Sequence, residues 1–308
     1  MNPPRIVAIV GATATGKTEL GEALAAAIGG EVVCADARQV FRELEIGTGK
    51  PTSRQRAALP HHLFDALALG EHASAGGWAE RARDACAAIG ARGRTPVLVG
   101  GSGMYLASLM RGLHDAPPHD PPTRARLETE ALERGIAALH ARLAALDPAT
   151  ARRLPARDHQ RIVRALEVAE VSGRPLSWWH AQEARDALAA DWRVLEVTCP
   201  PRALLPRIAQ RTRAMFAGGL VEETRALLAR GLAAPLSALH AIGYDEAAAL
   251  LAGTLDTAAA EERTNLRTRQ LAKRQRTWFR HQVAAVRLDL HALEPQSVLA
   301  AARAALTV

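Results

Sequence analysis

Aromatic residues are scarce in this chain, at 4% of 308 positions, and there are three cysteines. Cys34, Cys86 and Cys199 lie far apart, are odd in number and form no C-x-x-C pair. Neither a disulfide framework nor a cysteine zinc site is expected, and the pattern suits a reducing compartment. His61 and His62 are adjacent and cannot share one face of a strand, so no two-histidine metal site is expected there. No apolar run approaches a membrane span. The apolar stretch at 6–10 is too short for a signal-peptide core. Internal repeats and low-complexity tracts are missing beyond general alanine richness. These absences leave a cytoplasmic globular protein with no membrane partner as the expectation.

The chain is 48% hydrophobic, enough for a sizeable core, and carries a net charge of +7. The excess of basic over acidic residues points to a polyanionic partner. A high-GC genome accounts for arginine outnumbering lysine but not for that excess.

Residues 5–18 read RIVAIVGATATGKT. A short apolar strand enters a glycine-bounded turn that ends in Gly16, Lys17 and Thr18. This is the P-loop pattern G-x-x-x-x-G-K-[ST]. It comprises Gly11, Ala12, Thr13, Ala14, Thr15, Gly16, Lys17 and Thr18. Glycines let the backbone turn N–H groups inward on an anion, and the following helix adds its positive N-terminal end. Lys17 supplies a point charge. The Thr18 hydroxyl is placed to bind a magnesium ion shared with phosphates. The loop alone does not say whether the phosphate is transferred, hydrolysed or discarded as diphosphate.

A second strand at 31–35 ends in Asp36, Ala37, Arg38 and Gln39. Ligands of open parallel sheets lie beyond strand carboxyl ends, so Asp36 falls near the P-loop, where it could take a proton, bind magnesium through water or cap a helix or loop. A glycine turn follows at 47–51, then a short strand ending at Asp65. Ser74 is placed to cap a helix reaching about residue 92. A buried strand at 96–99 ends in GGSGMY, where Ser102 could offer its hydroxyl to a substrate. This βαβ alternation predicts an α/β fold: a P-loop core with a parallel sheet flanked by helices. The proline-rich stretch 116–122 then opens an inserted all-helical lobe, with helices at 124–134, 136–146, 158–172 and 177–190. The core is expected at 1–114 and 191–308, and the lobe at 115–190. Arg157, Arg161 and Arg164 are spaced to share one helix face. The chain re-enters the sheet at 194–198. Arg207 and Arg211 follow, one helical turn apart, as a candidate phosphate clamp or a solvated face. In the last long helix, 261–281, Arg269, Lys273, Arg276 and Arg280 form one cationic stripe, while Trp278 and Phe279 read as core anchors. A strand at 285–290 and a short helix end the chain.

Eight motifs together are specific. They are GATATGKT (11–18), DARQVF (36–41), IGTGKP (46–51), PHHLFD (60–65), PVLVGGSGMYL (96–106), DHQRIVRALEV (158–168), AIGYDE (241–246) and TRQLAKRQRTWFR (268–280). In this order and spacing the chain resembles the bacterial tRNA dimethylallyltransferases (tRNA isopentenyltransferases, the IPP transferase family) over nearly its whole length. The resemblance implies an enzyme that moves a dimethylallyl group from dimethylallyl diphosphate to the exocyclic amine of adenosine 37 of tRNA, beside the anticodon, releasing diphosphate. It implies a cradle of the P-loop residues with Arg211 and Arg207, magnesium (Mg2+) on Thr18, and Lys17 countering charge on the leaving group. It makes Asp36 the general base and gives Ser102 the place of a threonine that meets the target nucleotide. It assigns tRNA contact to Asp36, Ala37, Arg38, Gln39, Ser102, Arg124, Gln160, Arg161, Ile162, Val163 and Arg164. The target base is expected to flip out of the anticodon-loop stack. The anticodon arm of tRNA is the expected macromolecular partner of a monomer.

This chain departs from the family's common residues at Ala12, Thr15, Ala37, Phe41, Gly49 and Ser102. Ala37 and Phe41 each lack a hydroxyl that the family commonly carries. Two other readings stand beside this one. An ATP-dependent small-molecule kinase accounts for the P-loop and sheet but not for the cationic helices. A non-enzymatic RNA binder leaves the intact Gly16-Lys17-Thr18 and Asp36 without a purpose.

Overall fold

Apolar residues alternate between the two faces of a central sheet, and that alternation organises the core. In the computed structural model, which describes residues 3–307, six strands run parallel in the order β3-β2-β4-β1-β5-β6. In chain order the first half is β1 (Arg5–Gly11), α1 (Lys17–Ile28), β2 (Gly30–Cys34), α2 (Ser53–Ala58), β3 (His61–His62), α3 (Ala75–Ala91), β4 (Thr95–Gly100) and α4 (Gly103–Arg111). Five helices follow with no strand: α5 (Pro121–Arg134), α6 (Ile136–Leu146), α7 (Pro148–Arg153), α8 (His159–Ser172) and α9 (Leu176–His180). The chain returns through β5 (Asp191–Thr198), α10 (Pro201–Ala217), α11 (Leu220–Ala229), α12 (Ala233–Ala238), α13 (Tyr244–Leu251), α14 (Thr257–Gln282), β6 (Val286–Asp289) and α15 (Val298–Thr307).

Side chains of β1 point alternately up and down. Ile6, Ala8 and Val10 join one core, together with Trp78, Tyr105, Tyr244 and Phe279 from the helices on that face. Val7 and Ile9 join the other, with Leu20 and Leu24 of α1 and Ala302 and Leu306 of α15. A parallel sheet covered on both faces needs continuous apolar strands, which IVAIV and PVLV supply. In register, Ile9 lies between Val99 of β4 and Leu195 of β5. The strands' carboxyl ends thus gather at one edge.

The chain divides into two compact units. One contains the sheet, up to Met110 and from Leu188 onward; the other is Arg111–Ala187. The second unit has its own core, in which Leu127, Leu139, Leu143, Ile162, Val163 and Leu166 are wholly buried. Asp120, Asp147 and Asp158 cap three of its helices through side-chain oxygens.

Several expectations change here. The helix expected over 177–190 stops at His180. Leu113 and Arg185 instead exchange backbone hydrogen bonds of 2.9 and 3.1 Å, and Asp186 has φ 61, which no helix accommodates. The strand expected to reach Asp65 ends at His62, because Leu63 and Asp65 both have positive φ. Arg157 precedes α8, which starts at His159 after its Asp158 cap, so it does not share the helical face of Arg161 and Arg164. Residues 219–255, for which little was predicted, form three helices.

Candidate active site

The loop after β1 has the backbone its sequence demands. Gly11 has φ 148, and a Cβ there would collide with the Val197 carbonyl of β5. Gly16, at φ 94, is the left-handed cap from which α1 springs. Ala14 also takes a left-handed φ of 62, a conformation that costs a side chain about 1–2 kcal/mol. Two hydrogen bonds close the loop: Thr15 Oγ1 and Lys17 Nζ donate to the Ala12 carbonyl at 2.9 and 3.2 Å. Burial of the Lys17 ammonium lowers its pKa to about 8 despite the attraction of Asp36.

Two arginines of α10 approach the same edge. The Arg211 guanidinium donates to the Thr48 carbonyl at 3.0 Å. Burial depresses its pKa, while Asp36 and Glu19 oppose that shift. Gly49 makes room for it: a Cβ would lie 2.5 Å from Arg211 Nη2. An Nη of Arg207 lies 3.3 Å from where a Gly16 Cβ would sit, so both arginines border the cradle.

Beyond β2, one Asp36 oxygen accepts from the Arg38 N–H at 2.9 Å in a local turn, and the other makes no hydrogen bond among the described residues. Ser102, beyond β4, accepts from the Ala37 N–H at 2.8 Å through its hydroxyl, and its own N–H donates to Ala35 at 3.1 Å. The Ser102 proton stays available to a ligand. The structure thus brings together Lys17, Asp36, Ser102, Arg207 and Arg211 at the carboxyl edge. The hydroxyl of Thr18, in the first turn of α1, makes no hydrogen bond among the described residues. Its free hydroxyl and the free Asp36 oxygen are hard oxygen donors, too few for an all-protein cage but suited to a magnesium ion that a diphosphate shares. Among the described residues no group of three or more His, Cys, Asp or Glu could hold a metal.

Other predicted residues are already engaged. Arg38 donates to the Leu239 carbonyl at 2.7 Å, and the Gln39 amide to Thr48 and Gly49 at 3.1 Å each. Phe41 is wholly buried, so its missing hydroxyl does not face a ligand. In the helical unit, Arg124 and Arg164 both face the buried Glu167, at 3.6 and 2.9 Å, and Arg164 also donates to Pro117 at 2.5 Å. His119 Nδ1 and the Asp120 N–H complete that cluster at 2.5 and 2.9 Å. Ile162 and Val163 are fully buried in the core, which corrects their assignment to tRNA contact: their side chains have no exposed surface. The exposed members of that segment are Gln160 and Arg161.

Four residues escaped sequence reasoning. Glu223 of α11 accepts from the Glu45 and Ile46 N–H groups at 2.9 and 2.8 Å and from the Tyr244 hydroxyl. Lys50 buries its ammonium on Phe41, Arg42, Glu45 and Asp65, at 2.6, 3.2, 3.1 and 2.5 Å. Tyr244 lies wholly buried under the Gly47 turn. Gln275 of α14 reaches the P-loop. Three of these, Lys50, Tyr244 and Gln275, lie in quoted motifs, but periodicity shows which face is inward and not what it meets.

A glycine cradle at a helix N-terminus, on the carboxyl edge of a parallel sheet and bordered by three cations, defines the class first: an α/β protein whose site fits a phosphorylated ligand. Comparison with known proteins narrows this. A family model described as IPP transferase matches residues 39–282, and one described as isopentenyl transferase matches residues 4–62. The chain belongs to the IPP transferase family. It is 48% identical over 278 residues to a tRNA dimethylallyltransferase of Anaeromyxobacter dehalogenans, covering 90% of this chain and 92% of the relative. It is 44% identical to that of Thiobacillus denitrificans, over 98% and 97% of the two chains. The crystal structure of the tRNA isopentenylpyrophosphate transferase of Bacillus halodurans superposes with a TM-score of 0.71 at 30% identity, over 98% of this chain and 97% of that one. None of these relatives favours the kinase reading.

Proposed function

We propose that this protein transfers a dimethylallyl group from dimethylallyl diphosphate to the N6 amine of adenosine 37 in tRNA and releases diphosphate. The observation that carries the reading is the carboxyl edge of the sheet, where Asp36 after β2 lies within electrostatic reach of Lys17, folded onto the P-loop, and of Arg211, held on Thr48. A carboxylate there suits a base beside an anion cradle, and the cations suit charge that develops on a leaving group.

The P-loop amides, Lys17 and Arg211 hold the diphosphate, with Arg207 at the rim. The adenine amine attacks C1 of the dimethylallyl group. The new N–C bond forms as the C–O bond to diphosphate breaks, and the electron pair leaves with the diphosphate. Asp36 takes the amine proton through its free oxygen. Ser102, held by the Ala37 N–H, donates its hydroxyl hydrogen to the target nucleotide. Thr18 and the diphosphate would hold magnesium, which neutralises leaving-group charge when bound. Exposed Arg269, Lys273 and Arg280 of α14 make no ion pair among the described residues and are available to RNA phosphates, as is Arg161 beyond its link to Asp158. Among the described residues no helix is long and apolar enough to cross a membrane. The cytoplasm, as a monomer, is the setting we assign.

The test is incubation with dimethylallyl diphosphate, magnesium and unmodified tRNA bearing adenosine at 36, 37 and 38, followed by nucleoside digestion. Dimethylallyladenosine in the digest supports the reading. ATP turnover on a small acceptor, with the tRNA unchanged, overturns it.

A further inference from the structure

One side chain of α14 joins the two halves of the site. The Gln275 Oε1 accepts from the Thr13 N–H of the P-loop at 2.9 Å, and its Nε2 donates to the Gly101 carbonyl, before Ser102, at 3.0 Å. The partners fix which end is which, since Thr13 offers only a donor and Gly101 only an acceptor. The fit is close. A Cβ on Gly101 would collide with the Gln275 amide, and one on Gly103 with the Trp278 ring. Gln275 and Trp278, three residues apart on one face of α14, therefore press on the two glycines that flank Ser102.

A continuous chain of contacts results. It runs from Thr13 through Gln275 to Gly101, along the backbone to Ser102, and from the Ser102 hydroxyl to the Ala37 N–H, next to Asp36. The cradle is one end and the base-bearing loop is the other. The exposed cations Arg269, Lys273 and Arg280 lie roughly a third to nearly half of a turn from Gln275 round the same helix.

We propose that Gln275 is a positioning residue for the transfer: it fixes the phosphate cradle against the Ser102 turn, and links both to the helix that carries the cationic stripe. The proposal rests on the transferase reading for its kinetic consequence but not for the link itself. Among unbranched side chains of this length, an uncharged amide or a protonated carboxyl can accept from Thr13 and donate to Gly101 with one planar group, and an ionised carboxylate cannot. A misplacement of about 1 Å between reacting groups costs on the order of 10²-fold in rate.

The experiment uses the full chain with Gln275→Met, of similar length but without either hydrogen bond, and Gln275→Glu. For Gln275→Met the expected kcat falls about 10–100-fold, with a higher KM for dimethylallyl diphosphate and tRNA affinity within about twofold. Gln275→Glu regains both hydrogen bonds when protonated. Its rate relative to wild type is expected to climb as pH drops from about 7.5 to 5.5, while the Gln275→Met ratio stays flat. Hydrogen exchange supplies a readout independent of catalysis. Amides of residues 11–18 and 100–106 should both exchange about tenfold faster in Gln275→Met, with the remaining strands unchanged. Wild-type exchange in both loops, or wild-type kcat and KM, overturns the proposal. A loss confined to tRNA affinity also overturns it and makes Gln275 an RNA contact. If the wild type transfers nothing, the transferase reading fails, and the exchange data still decide the link.

Discussion

Lys17 meets two opposed demands. Its ammonium must leave water to face an anion, and that desolvation lowers its pKa to about 8 from 10.5. Between those two values the folded chain binds fewer protons than the unfolded one, so this group favours the fold more as pH rises through that window and opposes it below. Under the proposed function that charge serves to bind diphosphate. Affinity for inorganic diphosphate, measured by calorimetry, should therefore weaken as pH rises through about 8. Lys17→Met should bind no diphosphate yet melt higher at neutral pH, by the equivalent of about 1–2 kcal/mol. A lower melting temperature would show that the Ala12 hydrogen bond outweighs the desolvation. Asp36 faces a simpler test. Asp36→Asn keeps the size and the Arg38 N–H acceptor, so tRNA binding should persist while single-turnover rate falls about 10²–10⁴-fold. Unchanged turnover would remove the base from this position.

Elements show where sequence is informative and where it is not. The P-loop strand, turn and helix were legible because their constraints are local: a continuous apolar run gives β1, Gly16 gives the turn, and good helix formers give α1. Helices with capping residues, such as α3 behind Ser74 and α8 behind Asp158, were placed to within a residue for the same reason. The 177–190 stretch was misread because its alanines favour a helix while the contact that prevents one, Leu113 with Arg185, lies far away in sequence. The site shows the same division. Asp36, Ser102 and Arg211 were visible from motif and strand end. Gln275, Glu223 and Lys50 were not, since each acts by reaching a backbone group some 9 to 262 residues away. In the helical unit, spacing suggested a free arginine row, but Arg124 and Arg164 converge on buried Glu167. Glu167→Gln removes that anion and leaves the two guanidiniums without it. It should destabilise the unit by roughly 2–3 kcal/mol, read as earlier proteolysis within residues 111–187. An unchanged cleavage pattern would mean that the caps and apolar core alone hold the unit.

At the scale of the whole molecule, the chain carries a net charge of +7, and the cations of α14 divide into paired and exposed sets. Arg263 and Arg267 are taken up by Glu246, at 3.4 and 2.7 Å, whereas Arg269, Lys273 and Arg280 remain exposed without an acidic partner among the described residues. Replacing those three by alanine should weaken tRNA binding and flatten the dependence of log affinity on log salt by about three charges' worth. Inorganic diphosphate binding should be unaffected, which separates the RNA surface from the cradle. The same division sharpens the meaning of the P-loop. In a kinase the loop holds a group that is passed on. Under the proposed function the cradle, with Asp36 beside it, holds what is discarded. The most direct test follows both halves of the donor at once, with label in the dimethylallyl carbon and in the diphosphate. One diphosphate released for each dimethylallyl group found on adenosine, with no label from phosphorus in the tRNA, is the predicted result. Phosphorus carried into any acceptor, or diphosphate released with the adenosine unmodified, would contradict it.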